Sequence, residues 1–189
     1  MSAAVIPVNL RPVRSDEMKT IVLVRHTSND GDMLTPEGVA DAVAIGQRLQ
    51  DGFSLAVSSG AQRATQAVAC ILAGLGDQVP GGVVVVEALR SAVEDRWRQA
   101  YRTAGAGDLE SLRSADPELV ATDSAALADG LRTIFSMLPD GGRALAVGHS
   151  PTNEAAVYGL TGVVVASMGK GETVTIVEVD GGFSVLAGG

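Results

Sequence analysis

The chain has 189 residues and a net charge of −8; 46% of the residues are apolar and only 3% aromatic. This length fits one domain with an aliphatic core of Val, Leu, Ile and Ala. The acidic balance excludes an extended nucleic-acid or anionic-membrane surface as partner, but a local arginine cluster could still hold a small anion. Cys70 is the single cysteine, so no intramolecular disulfide forms, which fits a reducing cytoplasm. The apolar patch from Ala3 to Val8 is too short for a signal-peptide core. No run approaches the roughly 18 apolar residues of a membrane span. These features describe a soluble intracellular protein.

Residues 1–19 have no periodicity and read as an irregular N-terminal arm, with 20–189 as the single domain. Thr20-Ile-Val-Leu-Val-Arg25 reads as a buried strand that ends in Arg25 and His26. A polar loop follows, to about Asp32. Thr35-Pro36 opens a helix as N-cap and first helical residue. Val39, Ala42, Val43, Gly46 and Leu49 form its apolar face. Residues 53–57 are a second strand ending at Ser58-Ser59, and 62–75 a helix with Arg63 in its first turn. A Gly/Pro turn at 80–82 leads to a third short buried strand, 83–86. Residues 88–114 are helical in composition but interrupted by Gly105 and Gly107. They carry Arg90, Glu94, Asp95, Arg96, Arg98 and Arg102, with Trp97 and Tyr101 interleaved.

Asp116-Pro117 starts a long helix whose buried stripe is Leu127, Leu131, Ile134, Phe135 and Leu138. Strand 143–148 ends at His149, and Ser150-Pro151 opens a helix over 152–160. Segments 173–179 and 183–186 around Asp180-Gly-Gly read as a hairpin. Strands alternating with helices predict a mostly parallel sheet covered on both faces, with the hairpin as an antiparallel edge. That edge leaves homo-oligomer formation open. Gly169-Lys170-Gly171 fails the phosphate-loop spacing and reads as a turn.

In open sheets of this kind ligands bind beyond the carboxyl ends of the strands. His26, Ser58-Ser59 and His149 all fall there, and the two histidines are the only ones in the chain. Arg25 and Arg63 offer planar guanidinium forks suited to phosphate oxygens. Imidazole can act as a nucleophile toward phosphorus. Each residue alone has an ordinary explanation as a turn, cap or surface charge. Two imidazoles and two arginines aimed at one sheet edge are harder to explain by packing.

Arg25-His26, then Leu34-Thr35-x-x-Gly38, Ser58-Ser59-x-x-x-Arg63-Ala64-x-Gln66 and Gly148-His149-Ser150, resembles the histidine phosphatase superfamily, with its phosphoglycerate mutase-like fold. The motifs keep the family's order over about residues 20–160. The resemblance implies a three-layer α/β/α sandwich with a mixed sheet. It implies a transient phosphohistidine on His26, a phosphate pocket of Arg25, Arg63 and His149, and no metal or other cofactor. Thr27, Asn29 and Ser150 lie where such a site touches phosphate or a small phosphorylated substrate.

Three positions depart from the pattern. Thr27 stands where Gly or Ala is usual, and Ala61 replaces a Leu. Leu89-Arg90 is followed by Ser91, where the family usually carries its acidic residue. Glu94, three residues on, is the preferred acid, with Glu87 second. Glu94 also suits a helix ion pair with Arg90 or Arg98. The short chain without long insertions favours a phosphatase over a mutase. A phosphate-binding module with weak turnover is the alternative from another class.

Overall fold

The computed structural model describes residues 18–50, 52–76, 78–79 and 82–186. The expected N-terminal arm lies, up to residue 17, outside the described residues, as do Pro80 and Gly81 of the expected turn. The chain runs β1 (Lys19–Arg25), β2 (Asn29–Asp30), β3 (Met33–Leu34), α1 (Pro36–Arg48), β4 (Leu55–Ser58), α2 (Gln62–Leu75) and β5 (Val83–Val85). A 3-10 turn (Glu87–Leu89) precedes α3 (Glu94–Ala104), α4 (Leu109–Ala115), α5 (Pro117–Met137), β6 (Arg143–Gly148), α6 (Thr152–Thr161), β7 (Thr173–Val179) and β8 (Gly182–Leu186). No helix among the described residues is long and apolar enough to cross a membrane.

The main sheet has the order β5-β4-β6-β1-β7-β8. β5, β4, β6 and β1 are parallel, and β7 and β8 extend the sheet antiparallel. Alternation along β1 divides the core. Ile21 and Leu23 pack among α5, α6 and the α3–α4 region, while Val22 and Val24 pack among α1 and α2. Both faces are therefore covered, as continuous apolar strands require.

Local chemistry sets the helix ends. Thr35 Oγ1 accepts from Gly38 N–H, with Pro36 at the first helical position and Glu37 beside it. Asp108 and Asp116 cap α4 and α5 in the same way. Gly105 ends α3 in a left-handed conformation, so the region 88–114 becomes two helices rather than one. α2 has no side-chain cap of its own, because Ala61 occupies that position.

Two expectations are corrected. β5 is not fully buried: it is a three-residue edge strand, with Val85 half exposed. The loop after His26 is not wholly irregular, because β2 and β3 pair as a minimal hairpin. Two residues per strand are too few to produce a periodic signal.

Candidate active site

β1 and β6 are neighbours in the sheet, and Arg25 pairs with Gly148. The next residue on each strand is a histidine, so register alone brings the two rings together. His26 N–H donates to Gly148 O at 3.1 Å. The ring centroids are 5.1 Å apart, with the planes at 61°. Both histidines are buried, at 6% and 8% exposure. Ser59, past the end of β4, forms a 2.7 Å hydrogen bond with His149 Nε2.

Arg63, in the first turn of α2, joins the pair. Its Nε donates to His26 Nε2 at 3.3 Å, and its Nη2 lies 3.3 Å from His149 Nδ1. Its Nη1 meets Asp32 Oδ1 at 2.7 Å. Asp32 Oδ2 also accepts from Gln62 N–H at 3.2 Å, so the hairpin loop supplies the cap that α2 lacks.

These partners fix the tautomers. His26 Nδ1 lies 2.8 Å from Thr27 O, which can only accept, so Nδ1 carries the proton and Nε2 keeps its lone pair. Arg63 likewise makes His149 Nδ1 an acceptor and leaves Nε2–H to donate to Ser59 Oγ. Burial, with the nearby Arg63 and Arg25 charges and against the Thr27 carbonyl, lowers His26 to a pKa of about 4. Burial, then Arg63 and His26, lowers His149 to about 3. Both rings are neutral at pH 7.

Asn153 holds the second histidine in place. Its Oδ1 accepts from His149 N–H at 3.1 Å, and its Nδ2 donates to Val24 O at 3.3 Å. A Cβ on Gly148 would lie 2.2 Å from Asn153 Oδ1, so any larger residue there must displace the amide that holds His149.

Beside His149 opens a cleft of about 450 Å³, whose lining does not include His26. Arg63, His149, Ser150 and Ser91 line it together with Arg90, Glu94, Arg98, Trp97 and Tyr101 from the α3 side. Glu94 reaches this wall, but its carboxylate is held by Arg90 Nε at 2.5 Å and Arg98 Nη2 at 3.1 Å. The Arg90 hydrogen bond, against some desolvation, keeps it below the usual carboxylate range. Glu87 is exposed and does not line the cleft.

The other expected site residues have definite partners. Arg25 Nη1 donates to Met168 O at 2.5 Å. Thr27 Oγ1 is buried and donates to Gly38 O at 2.7 Å, tying the loop to α1. Asn29 turns its amide onto Gly31 O, within the hairpin. Ser150 faces the cleft and donates to Glu154 Oε1 at 2.6 Å. Asp32, Asn153 and Glu154 were not anticipated from sequence. Asp32's partners lie 30 and 31 residues away, and Glu154 resembles an ordinary helix-surface glutamate until its burial is known.

Neither a protein-family model nor a curated protein sequence matches the chain. Solved structures do. A phosphoglycerate mutase from Bacillus anthracis superposes with a TM-score of 0.64 at 21% identity, covering 92% of this chain and 94% of that one. A phosphoserine phosphatase from Entamoeba histolytica gives 0.66 at 17% identity, covering 89% and 95%. A mycobacterial glucosyl-3-phosphoglycerate phosphatase gives 0.61 at 17% identity, covering 89% and 97%. At these identities the likeness is one of architecture: the chain has the phosphoglycerate mutase-like α/β/α fold that these mutases and phosphatases share.

Proposed function

We propose that the protein is a phosphatase of the histidine phosphatase superfamily, hydrolysing a small phosphorylated substrate through a phosphohistidine on His26. The observation that carries this reading is the Arg63 guanidinium, which joins both imidazoles at 3.3 Å. An entering phosphoryl group would replace the ring nitrogens as acceptor of those donors and so sit between His26 and His149. His26 is suited to attack because its ring is neutral and its lone pair is on Nε2. Nδ1–H stays on Thr27 O throughout, so the ring neither turns nor changes tautomer. Water then attacks phosphorus, the P–N bond breaks, and neutral His26 returns. The structural neighbours include both phosphatases and a mutase, and the open cleft favours water as the acceptor.

The test is His26→Ala assayed with 4-nitrophenyl phosphate. A drop in kcat/KM of at least about 1,000-fold is expected, the scale on which removing a nucleophile acts. Radiolabel from a phosphate donor should also no longer appear on the protein. Turnover that survives the substitution would end the reading.

A phosphate-binding module with weak turnover is the second reading, favoured by the two ion pairs that hold Glu94. Burst labelling of His26 with no steady-state release of phosphate would select it.

A further inference from the structure

Cleaving an alkyl phosphate leaves an alkoxide that needs a proton as it departs. The carboxylate that lines the cleft and the one that pairs with Arg63 are poorly suited to supply one. Glu94 is held as an anion by Arg90 and Arg98. Asp32 is desolvated in part, but the Gln62 amide and the Arg63 guanidinium outweigh that and keep it low. Ser91, next to Arg90, turns its Oγ to the Val93 amide of its own chain turn.

Glu154 differs from both carboxylates. It is 1% exposed, in the first turn of α6, behind the loop that carries His149. Its Oε1 accepts from Ser150 Oγ at 2.6 Å and from Met168 N–H at 2.8 Å. Its Oε2 is buried and has no hydrogen-bond partner among the described residues, so the ionised form would leave a charged oxygen unsatisfied. Burial works against its charged form and raises its pKa above the usual carboxyl range. It has no ion pair with Arg25, but the Arg25 charge is near enough to favour the carboxylate once formed. Ser150 connects this carboxyl to the cleft wall.

We propose that Glu154 is the proton source for the leaving group, with Ser150 handing the proton across. The inference rests on the phosphohistidine reading above. In the first half-reaction the His26 Nε2–P bond forms and the P–O bond breaks. With Glu154 protonated on Oε1 and the Ser150 hydroxyl turned to the substrate, the leaving oxygen takes the Ser150 hydroxyl proton as Ser150 Oγ takes the proton from Oε1, leaving a carboxylate. In the second half-reaction water forms the new P–O bond as P–N breaks, and its proton returns through Ser150 to Glu154. Ser150 is then the catalytic contact, and substrates with alkyl leaving groups, which need protonation, fall within reach.

The experiment compares glycerol 2-phosphate, an alkyl ester, with 4-nitrophenyl phosphate, whose leaving group departs as a stable anion. Glu154→Gln keeps acceptors for Ser150 and Met168 but cannot deliver the proton. It should lower kcat/KM for the alkyl ester by about 100-fold or more, the low end of what a general acid contributes, chiefly in kcat. The aryl ester should change only a few-fold. Ser150→Ala should show the same split, and Glu94→Gln should leave the alkyl-to-aryl ratio where it was. The proposal is overturned if Glu154→Gln affects both esters equally or neither, or if Glu94→Gln is the variant that lowers the ratio. It is also overturned if the wild type hydrolyses the aryl ester alone, an outcome that leaves the phosphohistidine reading intact. A wild type that hydrolyses neither ester and takes no label on His26 sinks both.

Discussion

Arg63 spreads one guanidinium over three acceptors: two imidazole nitrogens and the Asp32 carboxylate. Lysine carries the charge but not the planar fork, so Arg63→Lys should be no conservative change. We expect kcat/KM for an aryl phosphate to fall by about 100-fold, the low end for losing one oxyanion donor, with weaker inhibition by vanadate. Steady-state kinetics with both ligands checks it. The histidines make a separate prediction. Followed by NMR, the His26 ring signals should stay flat from pH 8 to below pH 6 and titrate near 4, because burial and the arginines oppose the cation. A midpoint near the ordinary 6.5 would show that burial and the arginines do not oppose the cation. At this scale the sequence was legible in position: His26, Arg63 and His149, each at a strand or helix end, come together, whereas the Arg25 guanidinium turns to Met168 O. Glu154 was not, because a glutamate four residues past Ser150 gives no sign of whether its helix face meets solvent or the core.

Elements are fixed by close backbone approaches as much as by apolar stripes. A Cβ on Gly46 would lie 2.0 Å from Ile71 O, and one on Gly74 2.0 Å from Val43 O, so α1 and α2 cross with their backbones nearly touching. Gly46→Ala or Gly74→Ala must push these helices apart. Each should destabilise the fold by about 1–3 kcal/mol, the usual cost of overpacking, measured as a lower urea midpoint. Trp97 donates to the buried Asp123 at 2.5 Å, joining α3 to α5. Trp97→Phe leaves that carboxylate short of a donor and should cost about 1–3 kcal/mol. The helices and long strands could be read from caps and periodicity. Gly46 also counted correctly toward an apolar face, although its function as a contact point depends on a helix some 25 residues later. The β2–β3 hairpin and the exposed edge at β5 were missed, since a strand's place in the sheet is not written in its own residues.

For the molecule as a whole, the neutral histidine pair ties stability to pH. Both folded-state pKa values lie below the ordinary 6.5, so between about pH 6.5 and 4 the unfolded chain binds protons that the folded chain does not. The histidines' share of the stability should be full above pH 6.5 and decline as pH falls toward 4. His26 alone would contribute on the order of 3 kcal/mol, and the second ring is coupled to it rather than additive. Urea titrations at pH 7.5 and 4.5 would test this, and an equal midpoint at both would refute it. The same adjacency of β1 and β6 also has a kinetic side. Residues 26 and 149 are 123 positions apart in the chain (149 − 26), and the parallel pairing of those two strands brings them together. During refolding, local contacts can restore the helical circular dichroism signal before that distant pairing closes. Release of nitrophenol should therefore trail the helix signal in stopped-flow traces, which would make turnover a clock for the last long loop to shut.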